Sequence, residues 1–400
     1  MTEIEFPAEQ TKPLESAGKK ETEKTFNFGF YVTDHSPDFA DTGDPVRLRE
    51  LYSDIERDGI ESIRFDWRWK NIEPIQGQID NEQAARYSSA VSTMKEVGLN
   101  EPTVVLSSIP DWAKKLYKED KNKFFDAYGQ YLQQVKTGLQ SVEGSRVSTF
   151  QVLNELNNPL YTPIEDPQDL IRMCQMTRET FADYNPDLKI MVSVLATNIP
   201  KVSIRTFLPK LEQIKDAVDV IAIDYYPGGW YRPISEGNKL KDLAGKMILP
   251  GKKAYKKMFS DMSLFGEVAQ RVAALGKDYE LGETGFPVKG IYWGNESRQR
   301  YFYDAFFRNF KHLMVDFRQR GIKLPDRIGL YQAINEWPRD LKGKILRKTP
   351  YPEFNWGMRG DKGERRSILR GNPHTGELYD GQSRLAKIIH YMRAPIRKAT

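Results

Sequence analysis

The sequence predicts an α/β fold, a single closed (β/α)8 TIM barrel with long loops after strands six and eight. Eight short runs rich in β-branched or aromatic residues alternate with eight amphipathic segments of helical period. This alternation requires parallel strands joined by right-handed crossovers, and eight repeats indicate closure rather than an open sheet. No Gly-x-Gly-x-x-Gly sequence follows the first strand, which argues against a dinucleotide-binding sheet.

The predicted strands are short, apolar and bounded by polar or turn-forming residues. They cover Phe26 to Val32, Ser62 to Trp67, Thr103 to Ser107, Ser148 to Asn154, Ile190 to Leu195, Val218 to Tyr225, Asp278 to Glu283 and Arg327 to Ala333. The predicted helices cover 45–58, 81–98, 120–141, 166–184, 201–215, 261–276, 297–320 and 383–393. Asp44-Pro45 and Asp166-Pro167 supply an N-cap followed by a first-turn proline, as expected at helix starts. The stretches 227–260 and 337–383 exceed ordinary connections, which predicts inserts over the barrel mouth.

One domain is predicted over residues 25–400, after a leader at 1–24. The leader is rich in Glu, Lys, Thr and Pro, which predicts a disordered or loosely docked segment. It lacks the apolar core of a signal peptide, and no run approaches the roughly 20 apolar residues that span a bilayer. We therefore expect no membrane span and a cytoplasmic location, with secretion only if a signal has been removed.

Charge and cysteine content argue against several other classes. The chain has 60 Lys and Arg against 55 Asp and Glu, and a net charge of +5 does not indicate a nucleic-acid partner. From Arg339 onward there are 15 basic and 6 acidic residues, which form either a solvated basic face or a surface for an acidic polymer. The single cysteine, Cys174, excludes an intrachain disulfide and predicts a small core residue.

Two glutamates end strands whose carboxyl ends meet at the active face of such a barrel. Glu155 follows Asn154 at the end of strand four, and Glu283 ends strand seven. Cleavage of a glycosidic bond with retention needs two carboxyl groups roughly 5 Å apart, one protonated and one ionised. Glu155 fits the general acid/base and Glu283 the nucleophile, although Asn335-Glu336 at strand eight competes by motif alone.

These residues occur in the same order as motifs of a known group, and over nearly the whole chain the sequence resembles clan A of the retaining glycoside hydrolases. The further matches are Arg64 on strand two, the loop from Trp67 to Gln78 and Trp337 on strand eight. Pro110-Asp111-Trp112 resembles the β-xylosidase-like and exopolysaccharide-hydrolase-like branches of the clan.

The resemblance implies roles for several residues around the two glutamates. Asn154 would hold the sugar 2-hydroxyl, Tyr226 would donate to the nucleophile, Arg64 would lie beside Glu283, and Trp337 would floor the sugar site. In many members a histidine stands two places before the strand-six tyrosine. This chain has Asp224 there, which leaves that hydrogen bond open.

All seven tryptophans fall at predicted strand ends or in the loops that follow, a bias that favours stacking against sugar rings. Plain packing remains the alternative for each one. The candidate platforms are Trp67, Trp112, Trp230, Trp293 and Trp337. His35 follows strand one and either binds a hydroxyl or is structural, and no two of the four histidines have the spacing of a metal site.

We therefore predict a retaining β-glycoside hydrolase that cleaves a β-linked oligo- or polysaccharide through a covalent glycosyl-enzyme, with no cofactor, metal or nucleic-acid partner. The alternatives are a non-catalytic carbohydrate-binding barrel, a transglycosidase using the same site, and a polyanion-binding protein using the basic region. The sugar, the linkage, the cleavage mode and the oligomeric state stay open at this point.

Overall fold

A computed structural model describes residues 26–38, 43–99, 101–227, 260–285, 296–331 and 384–394. Eight parallel strands form a closed barrel in which each strand pairs with the next and the last pairs with the first. The strands are β1 Gly29–Asp34, β2 Ser62–Arg68, β3 Thr103–Ser107, β4 Thr149–Val152, β5 Lys189–Leu195, β6 Val220–Asp224, β7 Asp278–Thr284 and β8 Arg327–Tyr331. The predicted fold class is thus confirmed.

Helices surround the barrel, and each predicted helix is present with ends within three residues of the predicted ones. The helices are α1 Pro45–Arg57, α2 Trp69–Ile72, α3 Asn81–Glu96, α4 Asp111–Glu119, α5 Lys121–Gln140, α6 Pro167–Phe181, α7 Ile204–Ile214, α8 Ser263–Ala274, α9 Glu296–Gln319 and α10 Arg384–Arg393. The short helices α2 and α4 were not predicted. The caps are as expected, since the Asp44 carboxylate accepts from the backbone of Val46 and Arg47, and Pro45 is the first residue of α1.

The main core lies between the outer face of the barrel and the helices. On β2, Phe65 and Trp67 point outward and pack against Tyr87 of α3. Trp67 is completely buried, and a Cβ added to Gly138 of α5 would lie 2.8 Å from its ring. The prediction that Trp67 is a sugar platform is therefore wrong. Side chains alternate across a strand, so Trp67 shares the helix-facing side with Phe65, while Arg64 takes the opposite, inner side.

Hydrogen-bonded polar groups fill part of the barrel interior. The Tyr31 hydroxyl lies 2.6 Å from the Gly282 carbonyl oxygen and 2.9 Å from Oε1 of Glu280. Arg327 donates to Oε2 of the same glutamate over 2.8 Å. Buried charges are tolerated when they are paired and bonded in this way. The network of Tyr31, Glu280 and Arg327 therefore leaves these interior polar groups with partners.

The last helix is tied to the start of the barrel. The buried Lys311 ammonium on α9 donates to the backbone carbonyls of Tyr391 and Ala394, and Arg393 donates to the carbonyl of Phe28 over 3.3 Å. Cys174 is buried in α6, as expected of a small core residue. Among the described helices, none has both the length and the apolar composition needed to cross a bilayer.

The leader predicted at 1–24 lies outside the described residues, and so does most of the two long stretches predicted after strands six and eight.

Candidate active site

A buried arginine organises the carboxyl end of the barrel. Arg64 extends inward from β2 and is 1 % exposed. Its guanidinium donates to Oε1 of Gln151 and Oδ1 of Asn154, each over 2.9 Å, and to the Thr33 hydroxyl over 3.3 Å. It also forms an ion pair with Glu283. One side chain thus links the ends of β1, β2, β4 and β7.

The Glu283 carboxyl is held at both oxygens. Oε1 accepts from Arg64, and Oε2 accepts from the hydroxyl of Tyr226, which follows β6. Burial works against a charged Arg64, but neighbouring acidic groups, Glu283 above all, outweigh it and raise the pKa of the guanidinium. Burial and the neighbouring Glu283 also raise the pKa of the Tyr226 phenol, which keeps it a donor. Two donors of this kind fix the orientation of the carboxyl.

Glu155 lies just beyond β4 and is 3 % exposed. Its backbone N–H donates to the Ser193 hydroxyl over 2.8 Å, and its Oε2 accepts from Nδ2 of Asn158 over 2.7 Å. Burial raises the pKa of the Glu155 carboxyl to about 8, against the hydrogen bond from Asn158, and the charge of Glu283 adds to the rise. At neutral pH this carboxyl therefore carries a proton while lying within electrostatic reach of Glu283.

The backbone that presents Glu155 is strained. Leu153 and Glu155 both have left-handed conformations, with φ of 61° and 44°. Such conformations are costly for residues with a side chain and persist only where the surroundings impose them. Here the Leu153 N–H donates to the carbonyl of Leu106 over 3.1 Å, and the Thr162 hydroxyl donates to the carbonyl of Asn154 over 2.9 Å.

A third carboxyl, Asp224 at the end of β6, faces the same site. It is completely buried, and neither oxygen reaches full hydrogen-bond geometry in the described part of the chain, although the Ser193 hydroxyl lies close enough to lower the pKa of Asp224 against the effect of burial. Burial and the charge of Glu283 raise its pKa well above the usual range, so this carboxyl is held neutral. A Cβ added to Gly282 would lie 2.3 Å from Oδ1, which makes a glycine necessary at that position. Asp224 occupies the place where the resemblance leads one to expect a histidine.

His35 is part of a charged cluster at the ends of β1 and β2. Its Nδ1 lies 3.2 Å from Oδ2 of Asp66 and 3.0 Å from Nη2 of Arg68. The same Nη2 is 3.2 Å from Oδ2 of Asp38 and 3.0 Å from Oδ2 of Asp66. His35, Asp38 and Asp66 have the arrangement of a possible metal-ligand group within the described ranges, but their ligand atoms converge on the Arg68 guanidinium, which already supplies a cation.

The His35 ring also packs edge-on against Tyr331, with ring centroids 5.8 Å apart, and Tyr331 packs edge-on against Tyr226. His35 therefore lies near the predicted site, and its binding of a sugar hydroxyl stays a prediction.

Trp112 is half-buried and anchored, and it lies in α4 rather than in a loop. Its indole N–H donates to the Glu73 carbonyl over 2.9 Å, and its ring meets Trp69 edge-on at 5.5 Å. A platform role for Trp112 stays a prediction. Several other predicted or competing residues lie outside the described residues, namely Trp230, Trp293, Asn335, Glu336 and Trp337.

Sequence reasoning missed three polar residues that support the site. Gln151 donates to Oδ1 of Asn154 over 3.0 Å, the Ser193 hydroxyl donates to the same oxygen over 3.1 Å, and Asn158 contacts Glu155. For Gln151 and Ser193, the signal in the sequence was their position within a predicted strand. Each is a polar residue between two apolar ones inside a buried strand, which marks an inward-facing position.

No protein-family model matches the chain, and no curated protein matches it either. Solved structures do. A GH5_18 protein from Streptomyces cattleya in complex with GlcNAc is 12% identical with a TM-score of 0.59, covering 94% of this chain and 82% of that one. A GH1 beta-glucosidase from Exiguobacterium antarcticum B7 is 14% identical with a TM-score of 0.57, covering 94% and 100%.

An exo-beta-1,4-mannosidase from Opitutaceae bacterium strain TAV5 is 13% identical with a TM-score of 0.57, covering 94% of this chain and 62% of that one. At such identities the likeness shows the fold, and any shared chemistry has to be argued from this chain's own residues.

Proposed function

We propose that this protein is a glycoside hydrolase that cleaves a β-linked oligo- or polysaccharide with retention, with Glu155 as general acid/base and Glu283 as nucleophile. One observation supports this above all others. At the same end of one barrel, Glu155 is a carboxyl held protonated, and Glu283 is a carboxyl held by a guanidinium and a phenol. Retaining glycosidases require this division of roles. Similar folds in a β-glucosidase and a β-mannosidase are consistent with it.

In the first step, an oxygen of Glu283 attacks the anomeric carbon and forms a glycosyl ester. The bond from that carbon to the leaving oxygen breaks, and the leaving oxygen takes the proton of Glu155. In the second step, water attacks the same carbon, Glu155 takes a proton from that water, and the ester bond to Glu283 breaks. Loss of negative charge at Glu283 during the first step weakens its attraction for Arg64, and its return in the second step restores the ion pair. No cofactor is needed for either step.

Asn154 is suited to hold a sugar hydroxyl. Its Oδ1 accepts from Arg64, Gln151 and Ser193, which orients the amide. Its Nδ2 makes no hydrogen bond within the described residues, so a donor remains for the substrate. Trp337, Trp112, Trp230, Trp293 and His35 remain proposed contacts to further sugar units.

The test begins with a panel of aryl β-glycosides and β-linked polysaccharides, with product stereochemistry followed by NMR. Glu283→Ala should abolish turnover, and added azide should restore part of it by forming a glycosyl azide of opposite anomeric configuration. Glu155→Ala should spare substrates whose leaving group needs no proton. Glu119→Ala, on the exposed surface of α4, is the matched control and should change nothing. Full activity of Glu283→Ala would remove the assignment.

The same experiment separates the alternatives. Tight sugar binding without turnover would indicate a carbohydrate-binding barrel, and products longer than the substrate would indicate a transglycosidase. The substrates of the panel that are cleaved test the proposed β-xylosidase-like or exopolysaccharide-hydrolase-like specificity.

A further inference from the structure

Asn158 is the residue that bonds the general acid directly. Its Nδ2 donates to Oε2 of Glu155 over 2.7 Å, and both side chains are buried. This is the one hydrogen bond that the Glu155 carboxyl makes within the described residues. Among the described residues Oε1 therefore has no donor, and it is the oxygen that we assign to the substrate.

The turn after β4 holds the Asn158 amide in one orientation. The Asn158 backbone N–H donates to the carbonyl of Glu155 over 2.7 Å. Its own carbonyl accepts from the N–H groups of Tyr161 and Thr162, each over 3.0 Å. Its Oδ1 accepts from the N–H of Leu160 over 3.2 Å. Since Oδ1 is occupied by a donor, the end of the amide that meets Glu155 must be the NH2 group.

A donor at Oε2 favours the proton on Oε1, because the carbonyl oxygen of a neutral carboxyl is a stronger acceptor than its hydroxyl oxygen. When the carboxyl is neutral, its proton therefore resides mainly on Oε1. We propose that Asn158 is the positioning residue of the general acid, reserving Oε2 of Glu155 so that Oε1 carries the proton delivered to the leaving group. This inference rests on the proposed function.

The same hydrogen bond also opposes burial. It favours the ionised form of Glu155, while burial and Glu283 favour the neutral form, and the pKa that results is about 8. Other charged or titratable groups that act on Glu155 are Arg64 on β2, Asp224 on β6 and the Tyr226 phenol after β6. Without the Asn158 donor, the pKa should rise further and the proton should be divided between the two oxygens.

The experiment compares wild type with Asn158→Leu, which keeps the branched shape and removes the donor, and with Asn158→Asp, which places a second carboxyl at Oε2. The matched control is Asn185→Leu. Asn185 is also a buried turn asparagine, bonded to the carbonyl of Val147 over 2.9 Å, but it lies at the opposite end of the barrel.

The readout is kcat/KM from pH 5 to 10 on the phenyl and 2,4-dinitrophenyl β-glycosides of the sugar that the panel selects. With Asn158→Leu we expect kcat/KM to fall by about tenfold or more on the phenyl glycoside, whose leaving group needs the proton of Glu155. On the dinitrophenyl glycoside, whose leaving group does not need it, kcat/KM should fall by less than about twofold. The alkaline limb should move up by about one pH unit, and further with Asn158→Asp. Asn185→Leu should leave kcat/KM on both glycosides and the position of the alkaline limb as in wild type. Equal losses on both substrates with an unmoved alkaline limb would overturn the proposal.

A second measurement does not depend on turnover. The difference infrared spectrum between wild type and Glu155→Gln isolates the Glu155 carboxyl, and its titration should shift upward in Asn158→Leu. If no glycoside is cleaved while the infrared titration shifts, the proposed reaction fails but the pairing of Asn158 with Glu155 holds. If glycosides are cleaved and the titration does not shift, the inference about Asn158 fails alone.

Discussion

The ion pair between Arg64 and Glu283 predicts a large and asymmetric response to mutation. Both side chains are at most 5 % exposed. Arg64→Met leaves the carboxylate buried without its cation, and breaking a buried pair from one side costs about 3–5 kcal/mol. With an unfolding entropy of about 2.1 cal/mol/K per residue, a 400-residue chain has about 0.84 kcal/mol/K, so the melting temperature should fall by about 4–6 °C.

Arg64→Met combined with Glu283→Leu removes the orphaned charge, so the double variant should melt well above the Arg64→Met single variant. Thermal unfolding at pH 7, followed by circular dichroism, is measured for wild type, the two single variants Arg64→Met and Glu283→Leu, and the double variant. The exposed pair of Arg205 and Glu267 on the helix layer is the matched control, since Arg205→Met should leave the melting temperature close to that of wild type. A loss below about 1 kcal/mol for Arg64→Met, or no recovery in the double variant, would refute the reasoning.

Three further predictions concern residues outside the ion pair. The pKa of Asp224 is raised in the folded protein above the ordinary value of 3.8, so its contribution to stability is present below about pH 4 and is lost as pH rises. The melting temperature of Asp224→Asn, measured relative to wild type, should therefore increase from pH 4.5 to 8.5. A difference that stays constant over this range would contradict the prediction. Trp67→Ala should lower the free energy of unfolding by about 3–5 kcal/mol, because the indole fills the space between β2 and α5. Reduced sugar affinity with an unchanged melting temperature would instead indicate a role in the site. Lys311→Met should cost about 1–3 kcal/mol, because the backbone carbonyls of Tyr391 and Ala394 lose their donor. Amide hydrogen exchange at the end of α10 should become faster, while exchange in β4 should stay as in wild type.

Periodicity was enough to predict the barrel, because strand and helix periods differ and each run was long enough to show which one it followed. Trp67 shows where that reasoning fell short. Its place near a strand end was clear, but Trp67 is three positions from Arg64, and strand alternation therefore puts it on the helix-facing side when Arg64 faces inward.

For the site, Glu155 and Glu283 could be picked out because strand ends of a barrel converge by topology, whereas Arg64, Asn154 and Tyr226 came from the resemblance to clan A. Their roles stay predictions. The contacts of Asn158 could not be foreseen, because they depend on a turn whose left-handed residues carry no distinctive sequence signal. Asp224 was noticed in the sequence as a departure, but its complete burial follows only from the packing of β6 against Gly282.

The left-handed conformations at Leu153 and Glu155 limit how this segment can be transplanted. A designer who copied only the two glutamates onto another barrel would obtain a relaxed loop with its carboxyl aimed elsewhere. Each strained residue costs of order 1–3 kcal/mol, and it is kept in place by partners on β3 and β5. The smallest portable unit is therefore three adjacent strands together with the turn from 153 to 162, and substitutions that stabilise the turn by relaxing it should be expected to misplace the acid.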